Sequence, residues 1–149
     1  MNFLSPQDQE MAFRLILAMI LGGLIGLERE THKKAAGFRT HALVSLGSAL
    51  VMLVSIDMYH AYQGVAGVDP TRIAAQVVSG IGFLGGGAII RFPRGISGLT
   101  TAASLWISAS IGLAAGAGFW KPAVLSTGLV LIILFLFGQL GILLRWKDI

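Results

Sequence analysis

Cysteine is absent from this sequence, proline occurs four times, and only 12% of its 149 residues are charged, seven of them acidic. Without cysteine there is no disulfide, no thiol nucleophile and no Cys-ligated metal. The scarcity of charge excludes a soluble domain, since ordinary globular chains are about 25% charged. The histidines, His32, His41 and His60, are not at i,i+4 spacing. Alternating spans would also set His60 on the side opposite the other two, which argues against zinc. Magnesium takes oxygen ligands and keeps its waters, so Glu28, Glu30, Asp57 or Asp69 could touch it without a recognisable motif, and the metal question stays open. No P-loop, nucleophile–base set or paired intramembrane carboxylates occur. The expectation is a non-enzyme with no cofactor.

What the sequence does have is apolar length and glycine. Hydrophobic residues make up 55% of it, glycine occurs 20 times, and the mean hydropathy is +0.80. These values predict one all-α integral membrane domain over residues 1–149, with about five spans near 11–27, 40–56, 73–90, 99–118 and 123–144. Ser5-Pro6 reads as the cap and first position of the first helix, and Asp8 suits its positive dipole end. Arg14 follows Glu10 by four residues, the favourable order for a pair. Residues 28–39 read as a charged loop, with Thr40 capping the second span and the helix ending near Asp57.

The third span organises the rest. Asp69 and Pro70 mark its start as cap and first position, and no charge follows from Ile73 to Ile90. In its middle Gly80, Gly82, Gly85, Gly86 and Gly87 remove side chains over about two turns. Two readings compete. One is close helix packing, in which bare backbones approach each other, as Gly22 and Gly26 of the first span would also allow. The other is a broken helix whose backbone faces a polar site. Gly80 to Gly85 also spell G-x-G-x-x-G, but no β-α-β context surrounds them.

Lysine and arginine distribute unevenly between the two sides. Arg29, Lys33, Lys34, Arg39, Arg91, Arg94, Arg145 and Lys147 fall on one side, and Arg14, Arg72 and Lys121 on the other. By the positive-inside rule the N-terminus lies outside and the C-terminus in the cytoplasm. The cations flank spans and form no basic, aromatic-interleaved face, so nucleic acid is not expected as a partner. A weak internal echo pairs Gly37-Phe38-Arg39-Thr40-His41-Ala42 with Gly98-Leu99-Thr100-Thr101-Ala102-Ala103 and points to a 2+2 parallel repeat of helix pairs plus a fifth helix. The candidate polar site comprises Glu28, Arg29, Arg39, Thr40, Arg72, Gln76, Thr100 and Thr101. Within it, Glu28 is read either as a solvated helix end or as an inward partner of Arg39, and Arg72 either as an anchoring partner of Asp69 or Asp57 or as part of an outward-facing site. Thr100, Thr101, Ser104 and Ser108 read as interhelical hydrogen-bonding residues or as the lining of a hydrated cavity.

Four segments in order, Gly22 to Glu30, Ala36 to Thr40, Asp69 to Gly85 and Gly98 to Trp106, closely resemble the MgtC/SapB family, the match running from about Met11 to Leu144. The resemblance implies a bacterial inner-membrane protein linked to low-magnesium adaptation, and in some pathogens to survival inside host cells, acting at least partly by modulating other membrane proteins. It marks Glu28, Arg29, Gly37, Arg39, Thr40, Arg72, Gln76, Gly80, Gly82, Gly85, Thr100 and Thr101. Gly86 departs from the family pattern, where alanine is expected, and loosens the helix further. Many members carry a soluble C-terminal domain, whereas the expectation here is the membrane domain alone. Partners are then the bilayer, a second copy of the chain, with a dimer favoured, and another membrane protein. The first expectation is a non-enzymatic modulator in magnesium or ion homeostasis. The alternative is an oligomeric channel or carrier built on the glycine-interrupted third helix.

Overall fold

A computed structural model describes residues 5–63, 67, 69–93 and 95–143. Five helices follow one another: α1 (Pro6–Thr31), α2 (Phe38–Ala61), α3 (Thr71–Gly87), α4 (Leu99–Gly116) and α5 (Trp120–Leu143). A two-stranded antiparallel hairpin, β1 (Ile90–Phe92) with β2 (Gly95–Ser97), stands between α3 and α4. The chain is an all-α membrane protein in which four helices, all but α3, have the length and apolarity to cross a bilayer. Leu144, Arg94, Arg145, Trp146 and Lys147 lie outside the described residues.

Helix starts follow local chemistry. Ser5 and Asp8 form a reciprocal capping box, the Asp8 N–H donating to Ser5 Oγ at 3.2 Å and the Ser5 N–H to Asp8 Oδ2 at 2.9 Å. The third helix begins one residue later than expected, with Pro70 as its N-cap. Asp69 still acts there, because its Oδ1 accepts from the Thr71 N–H at 2.8 Å and the Thr71 hydroxyl at 2.7 Å. Those donors hold its carboxyl below the usual carboxylate range. Thr40 does not cap α2. Gly37 occupies that position, and Thr40 sits a turn inside the helix. Gly37 and Gly98, the matching glycines of the sequence echo, are both N-caps without a side-chain bond.

Glycine also ends α3 early. The helix was expected to reach Ile90 but stops at Gly87 after 17 residues, where the glycine run gives way to a β-branched pair suited to a strand. At 1.5 Å per residue its length is about 26 Å, a few Å less than the hydrocarbon thickness. The basic turn expected after it is the β1–β2 hairpin. Gly98 then takes φ +90 as the chain turns into α4, and a Cβ there would collide with the Ala88 carbonyl.

The core is made by α1, α2 and α4 with Ala123 of α5 against them, and glycines stand where α2 meets α1 and α4. A Cβ on Gly22 would stand 2.6 Å from the His41 carbonyl oxygen, and one on Gly26 2.6 Å from that of Gly37, so α1 and α2 run antiparallel. On the other side of α2, a Cβ on Gly112 would collide with the Ser45 carbonyl, and one on Gly116 would lie 2.5 Å from that of Ala49. Gly22–Gly26 of α1 and Gly112–Gly116 of α4 are thus two small-xxx-small pairs that clasp α2 between them. Ala18, Leu21, Ile25, Ala49, Ile111, Ala115 and Ala123 fill the remaining core. Arg14 bonds Glu10 at 2.9 Å, as its spacing predicts, and also donates to the Gly116 carbonyl at 3.0 Å, satisfying the end of α4.

The expected tight neighbour is missing around most of the third helix. Among the described residues, a Cβ at Gly80, Gly82, Gly86 or Gly87 would meet nothing within 4 Å beyond its own stretch of helix, and of this run Gly85 alone makes ordinary contact, with Ala102 at 3.6 Å. Small residues shape the core of the single chain at Gly22, Gly26, Gly112 and Gly116 instead. Gly112→Ala is expected to lower unfolding stability in detergent by about 1–3 kcal/mol through overpacking. Gly128→Ala on α5, where a Cβ meets no described residue outside its own stretch of helix, should leave it level or raise it slightly. Equal losses in the two variants would contradict the clasp.

Candidate functional site

The charged groups expected in a loop lie largely on helix. The α1 helix continues through Glu28, Arg29 and Glu30 to Thr31, which leaves residues 32–37 as the connection to α2. Lys33 turns the chain with φ +52. Arg29 points inward and is 4% exposed. Its Nε and Nη2 donate to Glu28 Oε2 at 2.5 Å and Oε1 at 2.9 Å, a bidentate pair between neighbours in sequence. The His32 Nδ1 lies 3.1 Å from the same carboxylate. Glu28 therefore faces inward as one reading held, but its partner is Arg29, and Arg39 is exposed on α2. A buried guanidinium is tolerated at such a depth because a carboxylate accompanies it.

Glu30 performs a different task. Its Oε2 accepts the Phe38 N–H at 2.7 Å, supplying the cap that Gly37 lacks. The Glu30–Lys34 pair allowed by sequence spacing is not formed, and the Lys34 N–H bonds the Arg29 carbonyl at 3.0 Å. Four residues beyond Gly37, His41 is fully buried. Its Nδ1 lies 2.9 Å from the Gly37 carbonyl, to which it must donate, and its Nε2 lies 2.9 Å from Ser104 Oγ on α4. The Ser104 hydroxyl in turn lies 2.8 Å from the Thr101 carbonyl. Further along the same seam Ser45 and Ser108 are fully buried, and neither hydroxyl has a hydrogen-bond partner among the described residues.

The predicted polar site is therefore split. Glu28, Arg29 and Thr101 lie within the α1–α2–α4 bundle, whereas Arg39, Thr40, Arg72, Gln76 and Thr100 are exposed. The carboxylate of Asp69 is committed first to Thr71, with Arg72 only a minor influence on it. Thr40 lines a groove of about 700 Å³ with Gly82, Phe83, Gly86 and Gly87. A second groove, about 450 Å³, runs between Gly47 and Ser48 of α2 and Gly80 and Ile81 of α3. At the opposite end Asp8, Glu10, Arg14, Asp57 and His60 line a cavity of about 370 Å³. Asp8 and Glu10 are already engaged there by Ser5 and Arg14. Among the described residues no three His, Asp or Glu side chains gather as a metal site. Reasoning from sequence treated His41 only as a metal ligand and missed its structural place. The available signal was a histidine one turn into a span, facing a helix with hydroxyls at Thr101, Ser104 and Ser108.

A family model described as the MgtC family matches residues 15–142. The chain is 43% identical over 146 residues to "Putative magnesium transporter YhiD" of Escherichia coli K12, covering 93% of this chain and 66% of that protein. It is 47% identical over 117 residues to "Protein MgtC" of Salmonella typhimurium LT2, covering 78% of this chain and 48% of that one. The chain thus spans about half to two thirds of the length of these relatives. No solved structure gives a significant match.

Glu28→Ala would strand the buried Arg29 charge and is expected to cost about 3 kcal/mol of stability in detergent or nanodiscs. Removal of the exposed Arg39 side chain in Arg39→Ala should change it by less than about 0.5 kcal/mol. Comparable losses would mean that Arg29 is compensated by some group other than Glu28.

Proposed function

The chain belongs to the MgtC family, and from that footing we propose that it is a multi-pass bacterial inner-membrane protein serving magnesium homeostasis by modulating another membrane protein. It catalyses no reaction in this reading. The observation that carries the proposal is the condition of α3. This helix buries only Ile81 and Gly85, leaves Phe83 86% exposed, and turns the bare backbone of Gly80, Gly82, Gly86 and Gly87 toward open grooves. In lipid, helices associate through close contact and dispersion, without a hydrophobic drive between them. A face of that shape is suited to receive another helix. The first occupant is a second copy of the chain, forming a dimer, and the same face offers a seat for a different membrane protein. The end bearing Lys33, Lys34, Arg39 and Arg91 faces the cytoplasm, which sets the N-terminus outside. For α3 to cross as the third of five spans, the bilayer thins or the helix ends lie in the headgroup layer.

A second reading is favoured by the same open backbone together with the transporter name carried by one relative. Two copies meeting at α3 would line an ion pathway with glycine carbonyls and the exposed Gln76. Two measurements separate the proposals. Gly86→Leu fills space that no described residue of the single chain occupies, so its unfolding should match that of the unchanged protein while the dimer weakens about tenfold, or 1.4 kcal/mol, by fluorescence energy transfer in vesicles. An unaltered dimer would remove α3 from the interface. Proteoliposomes holding folded protein and a trapped magnesium indicator should show no flux above empty vesicles. A flux abolished by Gln76→Leu, in a variant whose unfolding matches that of the unchanged protein, would replace modulation with transport.

A further inference from the structure

The β1–β2 hairpin has no place in the bundle. Every described residue of its two strands is exposed, with Ile90, Phe92 and Ile96 each more than half so. The register decides what each face carries. Ile90 and Phe92, two apart in β1, share one face, while Arg91 and its cross-strand partner Ile96 share the other. An isolated two-stranded ribbon is marginal in water, and apolar side chains on it gain nothing there. Its location supplies a support. It joins α3 to α4 directly, with only Ala88, Ile89 and Gly98 between helix and strand, and so sits where those helices leave the bilayer.

Charge at this end has one dominant sign. The loop residues Ala35 and Ala36 line the same groove as Gly86, Gly87 and Ala88, so the α1–α2 connection and the hairpin stem share one end of the molecule. Lys33, Lys34, Arg39 and Arg91 are exposed there. The carboxylates of the same end are engaged, Glu28 by Arg29 and Glu30 by the Phe38 amide. The far end carries Asp8, Glu10, Asp57 and Asp69 as well as Arg14, Arg72 and Lys121, and no such excess arises. Exposed cations beside exposed Ile, Phe and Leu make the combination that binds an anionic bilayer surface, each cation near the surface adding attraction that salt screens.

We propose that the β1–β2 hairpin is an interfacial anchor seated on anionic phospholipid. Ile90 and Phe92 enter the boundary of the acyl chains, which an apolar face penetrates by about 5–10 Å. Arg91, on the reverse face, stays in the headgroup layer and donates to lipid phosphate, joined by Lys33, Lys34 and Arg39 around the same rim. Phosphate contact favours arginine because its fork of N–H groups matches two oxygens at once. The proposal rests on the membrane placement of the helices and is independent of magnesium.

The absence of cysteine makes the test direct, since one introduced thiol is labelled uniquely. Spin labels at Phe92→Cys and Arg91→Cys are read in nanodiscs by collision with oxygen, which concentrates in lipid, and with a water-soluble nickel chelate. The label at 92 should favour oxygen, and the label at 91 should report the headgroup layer. Two labels equally open to nickel would overturn the anchor. In parallel, replacing phosphatidylcholine by a mixture with phosphatidylglycerol should raise the thermal midpoint, and this rise should shrink at high salt and in Arg91→Gln. Arg72→Gln, at the far end, should retain the full rise. A rise unchanged in Arg91→Gln would refute the assignment of phosphate to this residue. If inorganic phosphate added to phosphatidylcholine discs gave the same rise, the ligand would be a soluble phosphoanion and the membrane-surface proposal would fail.

Discussion

The structure depends on how closely α2 can lie between α1 and α4. Around Ser45 the approach is limited largely by backbone itself, because Gly22 faces the His41 carbonyl as well as the Ser45 Cβ, and Gly112 faces the Ser45 carbonyl and Cα. Lipid tails are as apolar as leucine, so the gain from association comes from the number of atoms in contact. Removing side chains at the crossing raises that number by letting whole backbones meet. Core side chains can then be small, and alanine supplies four of the seven residues in the central cluster.

The charged end follows from the same spacing. Because Gly26 lets the chain at Gly37 lie against α1, the connection is drawn tight enough for Glu30 to reach the Phe38 amide and for the Gly37 carbonyl to meet the His41 ring. Burial of Arg29 in this compact turn requires the adjacent carboxylate. Packing in the middle of the bundle and electrostatics at its end are thus successive results of a few missing side chains. The third helix lies outside this arrangement, which explains how one chain can hold a firm trio of helices and still present an open face.

Much of this was legible in the sequence for physical reasons. Hydropathy located the helices, since each must satisfy its own backbone in lipid, and the Ser5-Pro6 and Glu10–Arg14 patterns acted locally and were read correctly. What escaped depended on tertiary placement. Nothing in the order of residues distinguishes a glycine that touches a neighbour, such as Gly112, from one that faces open space, such as Gly86. The stretch around Glu28 was divided wrongly between helix and loop because charge was taken as a stop signal, although α1 carries its own counter-ion at Arg29 one residue on. Thr40 was given the capping role that Glu30 performs from eight residues before Phe38, a distance that local rules do not cover. The hairpin was read as a turn because its strands are three residues each and offer little periodicity.

Ser45 meets two helices at once, and this joint occupancy constrains how such a chain can diverge. A bulkier residue at 45 has no room on the α1 side, and a side chain at 22 or 112 has no room while α2 keeps its course. A step to a larger side chain is blocked at each of the three, and because a Cβ at 112 meets the backbone of Ser45 and one at 22 also meets the His41 carbonyl, no exchange at 45 makes room for it. In a set of aligned relatives glycine would therefore persist at 22 and 112, a trace of contact that survives even where the surrounding apolar residues have been freely exchanged.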